Sequence, residues 1–125
     1  MFRKIDCLLL RVPDLNAALE FYRDRLGLEL SWRRGAESAG LKMQDSDSEL
    51  VLVEEPGTPE TELLVESVED ACRKFEDAGG TIVERPFDIP IGRCAVVKDP
   101  WDNPLVLLDL SKGPLRTDGS GNVLD

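Results

Sequence analysis

Residues 10 to 27 and 63 to 80 match when the chain is shifted by 53 positions. Leu10 falls on Leu63, Val12 on Val65, Ala18 on Ala71, Tyr22 on Phe75, Asp24 on Asp77 and Gly27 on Gly80. The segments that close each half echo one another too, Leu50-Val51-Leu52-Val53-Glu54 against Leu105-Val106-Leu107-Leu108-Asp109. Isolated matches mean little, but this many in register indicate a duplicated unit, so the two halves must take one supersecondary plan.

That plan can be read locally. Leu8 to Val12 is an apolar run stopped by Pro13-Asp14, as in a strand covered on both faces. Asp14 then caps a helix whose apolar face is Leu15, Ala18, Leu19, Tyr22 and Leu26, with Gly27 just past its end. Leu28 to Arg33, Ala39 to Met43 and Glu49 to Glu54 read as three strands, completing βαβββ. After the turn Pro56-Gly57-Thr58-Pro59 the order recurs. Thr61 to Glu66 is a strand, and Ser67 caps a helix with Asp70 three residues on as a weak capping box. Val68, Ala71, Cys72 and Phe75 form the apolar face of this helix, which stops at Gly79-Gly80. Strands follow at Thr81 to Arg85, Ile91 to Lys98 and Leu105 to Leu110. At 125 residues the chain is expected to form one domain over 1–112, with module one at 4–55 and module two at 60–111. Residues 113–125 form a polar, Gly-rich tail, either loose or an arm on a partner subunit.

Charge and composition then exclude chemistry. Fifteen basic and 25 acidic side chains give a net charge of −10, and there is no histidine. No nucleic acid and no membrane surface is expected as a partner, because phosphate backbones and anionic lipids repel such a chain. Ser-His-Asp and Cys-His catalysis and imidazole zinc sites are removed. No apolar run has the length of a membrane span or a signal-peptide core. Cys7, Cys72 and Cys94 lack Cys-x-x-Cys spacing and read as buried reduced thiols, so a cytoplasmic location is expected.

The run Val12-Pro13-Asp14-Leu15, Leu19, Phe21-Tyr22-Arg23-Asp24 and Leu26-Gly27-Leu28, with the later Asp99-Pro100-Trp101-Asp102-Asn103, resembles the vicinal oxygen chelate superfamily, the glyoxalase, bleomycin-resistance and extradiol dioxygenase group. The resemblance spans residues 5 to 111, with Asp102 where the family usually has glycine. It implies an α+β fold: two βαβββ modules whose eight strands form an incomplete barrel around a cavity, with helices outside. It also implies homodimers and, in many members, a divalent metal held by two histidines and two carboxylates. Carried over by register, those four positions are Cys7, Val51, Glu60 and Val106. Two valines cannot ligate, so no metal and no other cofactor is expected.

Strand alternation assigns the cavity side chains. With Leu8, Leu10 and Val12 on the helix side, Cys7, Leu9 and Arg11 point inward, as do Glu60, Glu62 and Leu64, Val51 and Val53, and Val106 and Leu108. Counting back from Asp99 puts Arg93, Ala95 and Val97 on one face and suits Cys94 and Val96 to the helix side, which sends Arg93 inward. Each candidate carries a bland alternative. Cys7 is a reactive thiol or a small buried hydrophobe. Glu60 and Glu62 are an acid/base pair or solvated strand-end charges. Arg93 clamps a carboxylate or enolate oxygen, or forms an ion pair with Glu60, Glu62 or Glu54; Arg11 poses the same choice at the rim. Trp32 and Trp101 wall a site for a planar or cationic ligand, or serve core packing or dimer contact.

The expected function is metal-independent binding of a small molecule, aromatic or cationic, in the cavity. The alternatives are a lyase, epimerase or dioxygenase with a divalent metal at a shifted set such as Cys7, Glu54, Glu60 and Asp109, a metal-free enzyme using Arg93 and a glutamate, and a dimeric interaction module without ligand.

Overall fold

The computed structural model describes residues 1–124, so Asp125 at the end of the tail lies outside the described residues. In chain order the elements are β1 (Lys4–Val12), α1 (Leu15–Leu19) continued by a π-helical segment (Glu20–Arg25), β2 (Leu30–Arg34), β3 (Ser38–Lys42), β4 (Glu49–Glu54), β5 (Glu60–Leu64), α2 (Val68–Asp77), β6 (Thr81–Ile89), β7 (Gly92–Lys98) and β8 (Pro104–Leu108). This is βαβββ twice, as the repeat requires. Hydrogen bonding runs in the order β2-β3-β4-β1-β5-β8-β7-β6, with β2 and β6 at the ends, so the sheet does not close into a barrel. The fold is α+β. Two compact units make it up: Asp6–Pro59 together with the segment from Leu115 onward, and Glu60–Pro114 together with Met1–Ile5.

In the first unit β1 pairs in parallel with β4, and β3 lies antiparallel between β4 and β2. Leu15, Leu19, Ala39, Leu41, Leu50 and Leu52 form the core, flanked by Leu10, Val12, Ala18, Tyr22, Leu28 and Leu30. Burying a leucine such as Leu15, Leu19, Leu41 or Leu52 contributes roughly 1.5–3 kcal/mol, which is what holds this short helix on its sheet. Asp14 caps α1 by accepting the Ala17 N–H at 3.0 Å. In the second unit Val65, Val68, Ala71, Cys72, Ala95, Val97 and Leu107 form the core against α2. Ser67 caps α2 through the Asp70 N–H at 3.3 Å, while the Asp70 carboxylate turns to Arg73 and does not complete the capping box.

The π-helical segment corrects one expectation. Leu26 donates to the Phe21 carbonyl five residues back at 3.0 Å, and Leu26 itself is exposed rather than part of the apolar face. The two helices start 53 residues apart, at Leu15 and Val68, but the left-handed glycines that follow them, Gly27 (φ 84°) and Gly79 (φ 107°), are only 52 apart. The first helix thus carries one extra residue, and the widened turn absorbs it. Leu8 differs too: it has the parity of Leu10 but lies beyond the core and is exposed.

Nor does the tail hang loose. Gly121 O accepts the Arg33 N–H and the Val123 N–H donates to Arg33 O, both at 2.8 Å, which adds a short parallel bridge to the edge of β2. Thr117 pairs antiparallel with Val123, so the tail is itself a hairpin. Its turn, Asp118-Gly-Ser-Gly-Asn122, repeats the build of Asp99-Pro-Trp-Asp-Asn103. In each, the aspartate accepts the backbone N–H groups two and four residues on and the side-chain amide of the asparagine. The fourth position of each turn is left-handed, Asp102 at φ 67° and Gly121 at φ 86°.

Candidate ligand face of the first module

Register fixes what each module shows on the face away from its helix. In the first module, Cys7↔Glu49, Leu9↔Val51 and Arg11↔Val53 link β1 to β4. Gly40↔Val51 and Lys42↔Glu49 carry that face across β3, and Trp32↔Gly40 and Arg34↔Ser38 carry it onto β2. Cys7, Leu9, Arg11, Val51 and Val53 therefore share one face, the parity expected for β1 and β4, and the pairing of Trp32 with Gly40 brings Trp32 onto it. Cys7 and Val51 are buried, and the others are half-buried.

Trp32 is the polar hinge of this face. Its indole lies over Gly40, where a Cβ would fall inside the ring, and its Nε1–H donates to Glu49 Oε1 at 2.8 Å. The bond satisfies a half-buried indole donor and fixes the plane of the ring. Neither Gly40 nor Glu49 was among the sequence candidates. The available signal was a glycine inside a strand, which often marks close approach by another group. Arg11 has the bland role of the two considered: its guanidinium pairs with Glu55 and its Nε reaches Thr58 O at 3.4 Å, bracing the turn at Gly57. Beside this face two clefts of about 790 and 240 Å³ open at the β3–β4 turn, sharing Lys42, Met43 and Ser46. The larger is also lined by Leu26 and Glu29, the smaller by Ser31 and Glu49.

In the second module Glu62↔Val106 and Leu64↔Leu108 join β5 to β8, and Cys94↔Leu108 and Val96↔Val106 join β8 to β7. Glu62, Val106 and Leu108 thus share the face away from α2, together with Glu60, two residues before Glu62 on β5. Burial, and after it the carboxylates of Glu62, Glu60 and Glu84, push the Cys94 thiol up to about 12. That thiol is inert at neutral pH.

Arg93 is a correction. Ala95 and Val97 lie in the α2 core, so β7 has the opposite parity to that expected, and Arg93 points to the helix side. Its Nε donates to Glu69 Oε1 at 2.9 Å, an Nη lies 3.1 Å from Asp88 Oδ1, and the other Nη donates to Pro86 O at 3.1 Å. None of the three carboxylates expected as its ion-pair partner is involved. Glu69 first and then Asp88 hold the guanidinium pKa above its ordinary value. Trp101 differs from the core-packing reading: it is 79% exposed on its turn.

Two of the three carboxylates of the shifted metal set, Glu54 and Asp109, are engaged elsewhere. Glu54 Oε2 accepts the Leu15 N–H at 2.8 Å, and Asp109 Oδ2 accepts the Val68 N–H at 3.0 Å. Both belong to helix N-termini, where a carboxylate meets unpaired N–H groups and the positive end of the helix dipole. The four positions carried over from the family metal shell hold one thiol, one carboxylate and two alkyl groups. The family shell takes two histidines and two carboxylates, and catalytic zinc normally takes three protein donors, so the residues at these positions do not fit that shell.

The βαβββ order run twice, with one helix on each four-stranded half, defines a paired-module α+β protein. The chain belongs to the Glyoxalase/Bleomycin resistance protein/Dioxygenase superfamily, whose family model matches residues 4–107. It is 29% identical over 106 residues to an uncharacterized protein of Mycolicibacterium smegmatis, covering 82% of this chain and 90% of that one. Among solved structures it resembles methylmalonyl-CoA epimerase from Mycobacterium tuberculosis (TM-score 0.74, 18% identity, 88% of this chain and 89% of that one). It also resembles a variant of the Streptomyces coelicolor methylmalonyl-CoA epimerase in complex with 2-nitronate-propionyl-CoA (TM-score 0.71, 20% identity, 89% and 99%). A Legionella pneumophila structure described as an NAD-dependent benzaldehyde dehydrogenase matches at TM-score 0.68 with 21% identity, covering 84% and 98%. At these identities the likeness is one of fold. Among the described residues no helix is long and apolar enough to cross a membrane.

Proposed function

We propose that this chain is a small-molecule-binding member of its superfamily that works without the family's divalent metal. The Trp32 face of the first module and the adjoining cleft carry the ligand. The observation that carries the binding surface is the Trp32–Glu49 bond: it presents an oriented aromatic ring on a face floored by Leu9, Val51 and Val53. A ring held in one plane is preorganised to stack, and the cleft of about 790 Å³ lies within the 300–1,000 Å³ typical of ligand sites. The metal-free part is supported by Val51 and Val106 at two family ligand positions and by the helix-capping roles of Glu54 and Asp109.

The ligand class we assign is a planar aromatic, with cations favoured because a net charge of −10 raises their local concentration. In a Trp101→Phe background the remaining indole reports on Trp32. Titration with methylene blue as a planar cation, and with benzoate as an anion, should quench that emission saturably for the cation. Trp32→Ala should remove calorimetric binding of the dye. Saturable binding of benzoate alone overturns the charge assignment, and binding untouched by Trp32→Ala overturns the site. A near-stoichiometric divalent ion in protein purified without chelator would favour the metal-dependent enzyme reading.

A further inference from the structure

Lys42 stands where the Trp32 face meets the two clefts of the first module. Register places it opposite Glu49, two residues beyond Gly40 on the same side of β3, and it lines both clefts. Its backbone is fixed, because the Lys42 N–H donates to the Glu29 carbonyl at 2.9 Å. Its side chain is held far less firmly. The ammonium lies 3.7 Å from Glu29 Oε2, against 2.9 and 3.1 Å for the pairs that Arg93 makes, and the Lys42 and Glu29 side chains are 57% and 79% exposed. Exposed pairs of that length are weak and readily exchanged. Charge around Lys42 is one-sided. Glu29 and Asp45 line the larger cleft, Asp47 and Glu49 the smaller, and among the described residues Lys42 is the one cationic side chain lining either. Glu49 is committed to the Trp32 indole, and Glu29 is the carboxylate that carries Lys42. Beside Glu29 the larger cleft presents the exposed side chains of Leu26 and Met43. An apolar wall next to a carboxylate suits an aromatic cation, whose ring and charge need different surroundings.

On the small-molecule role proposed above for this face, which the assignment requires, we infer that Lys42 is a placeholder for the ligand's positive charge: its ammonium holds Glu29 until the cationic end of a planar aromatic ligand replaces it there. Two cations compete for one carboxylate. Binding then exchanges one ion pair for another and leaves no charge unpaired, and the released ammonium returns to water on its flexible stem. A neutral ring takes the apolar wall but leaves the Lys42–Glu29 pair in place. An anion gains nothing from the exchange, because displacing Lys42 would bring it against Glu29. Glu29 therefore sets the preference for a cation, and Lys42 limits its strength, since specificity is a difference between affinities.

The test uses the full chain with N-methylquinolinium and quinoline, which share a ring system and differ in charge in mildly alkaline buffer. Calorimetric titration should show the cation bound more tightly than the neutral ring. Lys42→Met, which keeps an unbranched apolar stem and removes the charge, should tighten the cation about fivefold, the upper end for an exposed ion pair, and leave quinoline unchanged. Glu29→Gln should weaken the cation by a similar factor, and adding Lys42→Met to it should bring no gain. Both side chains are exposed, so neither change threatens the fold. Equal shifts for the two probes would mean that Lys42 only shapes the cleft. That result, or an unchanged cation affinity in Lys42→Met, overturns the placeholder while leaving the binding role standing. If neither probe binds the parent or any variant, the binding role falls and the placeholder with it.

Discussion

The Asp109 carboxylate accepts the backbone N–H of Val68 at 3.0 Å, joining the residue after β8 to the first turn of α2. Glu54 does the same for Leu15 at 2.8 Å in the other module, so the repeat preserves a tether as well as a chain path. Asp109 is 2% exposed and also accepts from the Arg93 N–H (2.9 Å), the Ser111 N–H (3.2 Å) and the Ser111 hydroxyl (2.7 Å).

Burial pushes the Asp109 pKa up, but the bonds from Val68, Ser111 and Arg93 outweigh it and hold the carboxyl below its ordinary value. A depressed folded-state pKa gives stability that is present above the unfolded value of about 4 and lost as pH falls through the folded one. Asp109→Ala should cost about 3 kcal/mol in urea unfolding at pH 7, because it leaves buried donors unmet. The gap to the parent should narrow as pH drops below about 4. A gap that does not vary with pH would mean that the ionised form is not what stabilises α2.

Asp102 sits at φ 67° in a turn whose counterpart in the tail has glycine. Left-handed backbone costs a side-chain-bearing residue roughly 1 kcal/mol, less for aspartate, and glycine nothing. Asp102→Gly should therefore raise Tm by a few degrees at most, read by calorimetry. A lower Tm would show that the Asp102 side chain contributes more than its backbone strain costs.

Gly40→Ala puts a methyl group where the Trp32 indole lies. The ring must swing out and the Glu49 bond must break, with a loss on the order of 2 kcal/mol from the orphaned donor and disturbed packing. In a Trp101→Phe background the emission should shift to the red, and dye binding should weaken in step. Unchanged emission would place the ring elsewhere.

Cys94 should resist alkylation at pH 8 in the native protein and react once the protein is unfolded, because a thiol raised to about 12 is almost wholly protonated there. Peptide mass mapping after brief iodoacetamide treatment reads this directly. Rapid native labelling would contradict the burial of the second module's face.

The duplicated unit, the helix caps Asp14 and Ser67, and the parity that turns one side of β1, β4, β5 and β8 to the helices were all legible in the sequence. They rest on contrasts the chain prints locally: a capping side chain before an apolar period, or leucine and valine alternating with residues the helix does not cover. Strand β7 shows where this fails. Cys94, Ala95, Val96 and Val97 are apolar on both faces, so alternation carries no signal, and only the pairings Ala95↔Leu107 and Val97↔Leu105 settle which side meets α2. Arg93 followed that parity to Glu69 and Asp88.

What the sequence determined by itself was the plan of two βαβββ modules and the family to which they belong, because periodicity and repetition survive without tertiary context. Tertiary structure alone decided that Glu54 and Asp109 tether helices, that Trp32 leans on Gly40 to reach Glu49, and that a polar tail completes the edge of β2. Those outcomes depend on which backbone donors and acceptors are left unpaired once the sheet forms. Such groups occur at almost every residue, so side-chain identity gives no notice of where they will meet.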